Sequence, residues 1–277
     1  MHRTAFTALA AAAVATGALS IPAANAATLE QLINTSQQFR LEDDSAEDLA
    51  VDQNGNRQLD VGDTLRGVFS FPQFVNSASR AAFPLNGTTN SAVHGVYEAQ
   101  VAQKTAAGGG TFNYTFEPYA PFAAEVGGVP GAIIGLWESG TPLNPFSCGT
   151  KAACEASAKA GTLRLALGFE DGTGTFTTGP VSDNLETARS VSQADNVAPY
   201  DFQMSVLSDN LPGLTLPLVP EVIGSGQVLG SAGSSSPYPT FDDADIEMSV
   251  VPIPAALSLF LAGLGALGMI GWRRNAA

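Results

Sequence analysis

The chain is poor in basic residues, histidine and cysteine, and each shortage removes a class of function. Its 277 residues include 12 Lys and Arg against 26 Asp and Glu, with 2 His and 2 Cys. An acidic surface repels phosphate backbones, so we expect no nucleic-acid partner. A structural zinc site needs more Cys and His ligands than the chain supplies.

Catalytic residue sets are also scarce. His94 is the only histidine beyond the N-terminal segment, and any Ser-His-Asp or Cys-His arrangement must use it. It lies in a strand-like context, and no Gly-x-Ser-x-Gly elbow occurs. We therefore predict a hydrogen-bonded sheet histidine and no enzyme. Several carboxylates could form a glycosidase pair, but nothing in the sequence distinguishes two of them: Glu98, Glu117, Glu125, Glu138 and Glu170.

The N-terminus has the pattern of a secretory signal peptide. His2 and Arg3 precede an apolar stretch that is rich in Ala, Val and Leu. Ala24 and Ala26 place small residues at the two positions that signal peptidase requires to be small. We predict that residues 1–26 form a signal peptide that signal peptidase removes.

The remaining body is predicted to be all-β. Three of the 12 Lys and Arg residues lie in the two end segments, which contain no Asp or Glu, so the body has 9 basic and 26 acidic residues and a net charge of −17. The 29 Gly and 17 Pro favour turns and strands over helical bundles. Many short strand signals without βαβ alternation favour an antiparallel β-sandwich-like body over residues 27–210.

Period-two alternation marks the clearest strands, Thr111–Phe116 and Thr162–Phe169. Weaker strand signals occur at Thr64–Phe71, Val93–Val101, Ala132–Trp137, Asp201–Leu207 and Asp245–Val251. Before them, the spacing of Leu29, Leu32, Ile33 and Phe39 predicts one short amphipathic helix.

Residues 211–250 are rich in Pro, Gly and Ser, with an acidic segment at 242–245. Three prolines in the first ten residues exclude a central strand there. We interpret 211–250 as a flexible stalk and acidic spacer.

Cys148 and Cys154 are separated by five residues. In an oxidising compartment, two nearby cysteines most simply form a local structural disulfide. The alternative, a redox-active pair, would favour the tighter Cys-x-x-Cys spacing.

The C-terminal segment 251–277 predicts a membrane-spanning helix. An uncharged apolar run extends from Ala256 to Trp272, and a basic pair follows it. Such a run is long enough to cross one hydrocarbon core, and the basic pair is expected on the cytoplasmic side. Prolines in front of the run mark where the span begins. The residues that flank the apolar run, the motif before it and the basic pair after it, are Val251, Pro252, Ile253, Pro254, Ala255, Arg273 and Arg274.

This combination resembles the PEP-CTERM class of sorting signals, in the variant that reads Val-Pro-Leu-Pro-Ala. Ile253 stands where that variant usually has Leu. The resemblance implies processing near Pro252–Pro254 by an exosortase-type membrane peptidase. It also implies a surface or matrix protein of an exopolysaccharide-producing Gram-negative bacterium. An ordinary single-span anchor is the alternative.

One loop of the body resembles an EF-hand or dockerin-like calcium loop. Its oxygen-bearing side chains recur at alternate positions, where each could turn toward one ion. Arg57 stands where the motif has Gly, and the alternative is an Asn/Gly turn that caps its own backbone. A Ca²⁺ ion bound by this loop would have a structural role. The candidate ligands are Asp52, Asn54, Asn56, Gln58, Asp60 and Asp63.

Together these patterns predict an exported structural or adhesive protein of the cell surface or the extracellular biofilm matrix, held in the inner membrane during sorting. Two alternatives are open. Tyr114, Tyr119 and Trp137 could stack on sugar rings in a carbohydrate-binding module for exopolysaccharide, although such aromatics are more often core residues. A secreted hydrolase that uses His94 is the other.

Overall fold

The computed structural model describes residues 26–36, 38–170, 174–184, 198–211, 221–232 and 236–249. The predicted sorting segment and all of the predicted signal peptide except Ala26 lie outside these residues. No helix in the described ranges is long and apolar enough to cross a membrane.

Twelve strands and three short helices make up the described chain, which confirms the all-β class. The helices are α1 (Leu29–Asn34), a 3₁₀ helix (Ala120–Val126) and α2 (Lys151–Ala158). The strands are β1 (Gln38–Val51), β2 (Thr64–Asn76), β3 (Ala82–Pro84), β4 (Ala92–Gly108), β5 (Thr111–Pro118), β6 (Ala132–Ser139), β7 (Thr162–Gly168), β8 (Thr175–Thr178), β9 (Val181–Ser182), β10 (Ala198–Asp209), β11 (Glu221–Ser231) and β12 (Thr240–Ser249).

The strands form one antiparallel sheet that closes on itself. In the order β1, β2, β4, β6, β7, β10, β11 and β12, each strand pairs with the next, and β12 returns to β1. The second half of β4 pairs with β5, and the first half of β10 pairs with β8. A sandwich has two separate sheets packed face to face. The structure differs from the predicted sandwich-like body in this respect, because strand pairing is continuous around a single closed sheet. Closure leaves few unpaired strand edges.

The closed sheet has an apolar inner face. Successive side chains of a strand point to opposite faces, so every second residue faces inward. The inner cluster contains aromatic and aliphatic side chains from most strands, together with Leu29, Leu32 and Ile33 of α1. This cluster is the main core of the molecule.

A second apolar cluster covers part of the outer face. The 3₁₀ helix supplies Phe122 and Val126, and α2 supplies Cys154 and Ala158. Cys148 and Cys154 form a disulfide with a Cα–Cα distance of 5.1 Å, which confirms that predicted pair. The bridge fixes the loop before α2 to the helix that covers the sheet.

The predicted N-terminal helix is confirmed but is shorter than the apolar spacing suggested. Thr28 caps α1, since its Oγ1 accepts a hydrogen bond from Gln31 N at 3.2 Å and its own N–H donates to Gln31 Oε1 at 3.0 Å. The predicted inclusion of Phe39 in this helix is wrong, because α1 ends at Asn34. Phe39 lies on the inner face of β1 and stacks on Phe74 of β2, with ring centroids 4.8 Å apart.

The interpretation of residues 211–250 as a stalk is also wrong for two of its stretches. Residues 221–231 form β11 and residues 240–249 form β12, and both belong to the closed sheet. The Gly residues of β11 have a packing function that local composition does not reveal. A Cβ on Gly224 would lie 1.9 Å from the ring of Phe202, and one on Gly226 would lie 2.5 Å from the ring of Tyr200.

Candidate functional site

The predicted calcium loop connects β1 to β2 and is capped by its own side chains. The Asp52 carboxylate accepts hydrogen bonds from the amides of Gly55 and Arg57, both at 2.7 Å. Arg57 has a left-handed φ of 62°, the conformation expected at the position where the motif has Gly. Asn54 Oδ1 and Asn56 Oδ1 accept from the amides two residues further on. This pattern fits the Asn/Gly turn that was the alternative.

The second half of the loop is held by Asp60 and Asp63. The Asp63 carboxylate accepts from Gln53 N at 2.8 Å and from Asp60 N at 2.9 Å. Lys104 Nζ lies 2.7 Å from Asp60 Oδ1, and this hydrogen bond, followed by those from Asn54 and Asn56, lowers the pKa of Asp60 to about 2. An ammonium group therefore neutralises one candidate ligand.

The fit of this loop to Ca²⁺ is partial. Spacing and backbone conformation match the motif, whereas its oxygens are directed at amide groups and at Lys104. Nowhere in the described ranges do three or more His, Cys, Asp or Glu side chains form a group that could hold a metal ion. An ion would have to displace Lys104 and reorient the Asn side chains. Gln58 contributes its amide to the turn, where its N–H donates to Asn56.

His94 is a buried sheet histidine, as predicted. It lies on β4, and its Nδ1 is 2.7 Å from the carbonyl oxygen of Ala158. Burial lowers the pKa of its imidazole, so the neutral ring is favoured. Its contact with α2 connects the sheet to the outer layer.

The aromatic candidates for sugar stacking lie mostly in the core. Tyr114 is 1% exposed and Trp137 is 5% exposed, and Tyr114 donates a hydrogen bond from its hydroxyl to the carbonyl of Leu59 at 3.2 Å. Tyr119 is partly buried against the outer cluster. Neither Tyr114 nor Trp137 therefore presents a ring to a ligand at the surface.

Two of the five candidate carboxylates meet at Arg66 on the outer face. Arg66 lies 2.6 Å from Glu98 and 2.8 Å from Glu125, and it also reaches Glu155 of α2 at 2.7 Å. The pKa of Glu125 is lowered to about 2, because hydrogen bonds from Arg66 and Lys159 outweigh desolvation. Through Glu98 and Glu155, Arg66 connects β2 to β4 and to α2. Glu138, in turn, accepts from Leu29 N and from Arg164 Nε, both at 2.7 Å.

A cluster of three carboxyl groups inside the closed sheet was missed in the sequence. Asp43 and Glu47 of β1 and Asp242 of β12 are 7%, 3% and 4% exposed. Ser45 of β1 lies opposite Asp242 and contacts both Asp43 and Asp242. Desolvation and the neighbouring Asp242 raise the pKa of Glu47 to about 8, and the same two causes raise the pKa of Asp43 well above its usual range.

Two tyrosines reach this acid cluster from opposite sides. Tyr97 of β4 donates a hydrogen bond to Glu47, and Tyr200 of β10 donates one to Asp242 at 2.7 Å. One strand separates each tyrosine from its acid, and that strand has Gly opposite the tyrosine, Gly67 in β2 and Gly226 in β11. Each ring lies over its glycine, which is why it can span the intervening strand.

The acid cluster borders a small cavity. Its volume is about 60 Å³, and its walls are mostly apolar. That space is enough for several water molecules, each of which needs roughly 10–15 Å³. The cavity-lining residues include Glu47, Tyr97, Phe176, Tyr200, Phe202 and Asp242.

The alternation of side chains along β1 and β12 could have indicated the cluster, because the acids occupy the same positions as buried apolar residues. Asp43, Ser45 and Glu47 share the odd-numbered face of β1 with Phe39 and Leu41. Asp242 shares its face of β12 with three apolar residues, Ala244, Ile246 and Met248, all of which are buried. No strand is predicted from the sequence over residues 43–47, and 242–245 is interpreted as an acidic spacer, so a period of two is not applied to either segment.

Comparison of the chain with protein-family models, with curated proteins and with solved structures gave no match.

Proposed function

We propose that the chain is an exported structural or adhesive protein of the cell surface or extracellular matrix, sorted through its C-terminal tail. The observation that carries this proposal is the sequence at 251–277, where a Pro-rich motif, an uncharged apolar run and Arg273-Arg274 follow one another. The resemblance to a PEP-CTERM signal names an exosortase-type peptidase as its processing partner. Exopolysaccharide is the surrounding matrix that this resemblance implies.

The folded body is compatible with such processing. Strand β12 ends at Ser249 and pairs with both β1 and β11, so Pro252 follows the sheet by only three residues. A cut near Pro252–Pro254 would therefore leave every described strand intact. The disulfide between Cys148 and Cys154 is of the kind that oxidising compartments favour.

A structural or adhesive role is favoured over the two alternatives by specific positions. Tyr114 and Trp137 are core residues, which removes two of the three aromatics considered for carbohydrate stacking. His94 is committed to a backbone carbonyl of α2, which argues against a hydrolase built on it.

Intact-mass measurement of the native mature protein tests the proposal. We expect loss of residues 1–26 and of the tail beyond about Val251. A mature protein that retains the complete tail would reduce the proposal to a permanent single-span anchor. A mature protein that retains residues 1–26 would contradict removal of a signal peptide by signal peptidase.

We further propose that the loop from Asp52 to Asp63 binds structural Ca²⁺ weakly. The left-handed Arg57 and the alternate spacing support this, and displacement of Lys104 from Asp60 would accompany binding. A ligand that binds the native state and not the unfolded state raises the melting temperature. We therefore expect the melting temperature of the body in Ca²⁺ to exceed its melting temperature in chelator by several degrees.

The variant Asp52→Ala should abolish that chelator-dependent difference, whatever its effect on basal stability. Asp201→Asn, an exposed carboxylate on β10, is the matched control and should retain the difference. A body that melts identically with Ca²⁺ and with chelator would reject the calcium loop and leave the self-capped turn.

A further inference from the structure

The three interior carboxyl groups have no cationic partner in the part of the chain that the structure describes. Every ion pair there involves other acids, and none includes Asp43, Glu47 or Asp242. Three ionised carboxylates in a shared interior would repel one another and would each lose solvation. A neutral form of at least one of them is the physical solution to that problem.

The number of protons available at Ser45 also requires a neutral carboxyl group. Ser45 Oγ lies 3.0 Å from Asp43 Oδ2 and also contacts Asp242 Oδ1. A serine hydroxyl carries one proton, and an ionised carboxylate carries none. The two oxygen–oxygen contacts need two protons, so Asp43 or Asp242 must supply the second. The remaining oxygens of this pair accept from Ala244 N–H and from the Tyr200 hydroxyl.

Glu47 has a comparable arrangement. Its Oε2 accepts from the Tyr97 hydroxyl. Thr240 Oγ1 lies 3.0 Å from the main-chain oxygen of Glu47 and 3.5 Å from its Oε1. The single proton of Thr240 serves the shorter contact, and a proton on Oε1 would complete the longer one. A neutral Glu47 therefore satisfies all of these groups together.

We propose that Asp43, Glu47 and Asp242 form a proton-binding site inside the closed sheet, and that loss of its protons in alkaline solution destabilises the fold. The site is built from β1 and β12, whose pairing also closes the sheet. Ionisation would place like charges on both strands of that pair. The titratable groups that face the site are Asp43, Glu47, Tyr97, Tyr200 and Asp242. Asp243 lies beside the site on the outer face of β12. The residues that β2 and β11 present to the site do not titrate; they are Leu65, Gly67, Phe69, Gly226 and Val228.

The direction of the pH dependence follows from the raised pKa values. Burial raises the pKa of Glu47 from its ordinary 4.5 to about 8, and it raises the pKa of Asp242 as well. Between the two values for Glu47 the folded chain holds more protons than the unfolded chain, so stability falls as pH rises. The contribution is complete below the unfolded pKa and is lost as pH passes through the folded one.

Urea unfolding from about pH 5 to about pH 9 tests the proposal. We expect the midpoint of the natural protein to fall across this range. Glu47→Gln, which mimics the neutral acid, should flatten the decline, and Asp242→Asn should do the same. Glu247→Gln removes an exposed carboxylate from the other face of β12 and should retain the full decline.

Infrared spectroscopy of the natural protein supplies a readout that does not depend on any variant folding. A neutral carboxylic acid has a C=O stretch distinct from that of a carboxylate. We expect this band at about pH 7, and we expect its loss when pH rises past the folded pKa values. Absence of the band at about pH 7 would overturn the proposal. So would an undiminished decline in both Glu47→Gln and Asp242→Asn.

Discussion

At the scale of single residues, Gly67 determines how Tyr97 reaches its partner. Gly67 is opposite both Glu47 of β1 and Tyr97 of β4, and the tyrosine ring covers it. A Cβ built on Gly67 would lie 2.5 Å from the tyrosine ring. The missing side chain therefore provides the space through which the hydroxyl reaches the interior acid.

We predict that Gly67→Ala destabilises the fold by about 1–3 kcal/mol, because the new methyl group must displace the Tyr97 ring from Glu47. Gly140→Ala is the matched control, since a Cβ there has no atom within 4 Å and the backbone is not left-handed. It should change stability by no more than about 0.5 kcal/mol. Urea unfolding of both variants is the measurement, and equal midpoints for the two would contradict the packing role of Gly67.

The residues that sequence reasoning identified best are those with a purely local reason. Cys148 and Cys154 are close in sequence and form the predicted disulfide. His94 is a satisfied sheet histidine, since a buried ring needs a hydrogen-bond partner and Ala158 supplies one. The acid cluster was missed because Asp242 is nearly 200 residues from Asp43 in the chain, and only the β1–β12 pairing brings them together.

At the scale of elements, alternation predicted strands only where the buried face is apolar. β5 and β7 alternate clearly, and both are strands. β1 carries no apolar alternation beyond Leu41, because Asp43, Ser45 and Glu47 make its inner face polar. β11 is interpreted as a stalk from its Gly and Ser content, whereas in the structure aromatic rings of β10 fill the space above its glycines. In both strands the compensating groups come from elsewhere in the chain.

The disulfide has a stabilising role at the same scale, since it fixes α2 over the sheet. We predict that Cys148→Ala combined with Cys154→Ala lowers the free energy of unfolding by about 2 kcal/mol, as the loss of a short closed loop implies. The measurement is the urea midpoint without and with reductant. Reductant should lower the midpoint of the natural protein and leave the double variant unchanged, because the chain has no other cysteine. A reductant effect on the double variant, or none on the natural protein, would contradict this role.

At the scale of the whole molecule, closure makes the last strand a structural requirement. β12 lies between β1 and β11, and it carries Asp242 of the interior acid cluster. Without β12, both neighbours would present unpaired backbone groups, and the inner apolar face would open to water. The body therefore extends to Ser249, well beyond the boundary at residue 210 that composition suggested.

Two truncations distinguish a structural strand from a dispensable spacer. We predict that residues 27–250 unfold cooperatively in urea, as followed by circular dichroism, because every described strand is retained. Residues 27–238 lack β12 and should show no cooperative transition, because the loss exposes two strand edges and separates Asp43 from Asp242. Equal midpoints for the two chains would contradict the closed sheet and support a spacer instead. Since β12 ends only three residues before Pro252, a cooperative transition that is present in 27–250 and lost in 27–238 would locate the processing segment directly after the folded body.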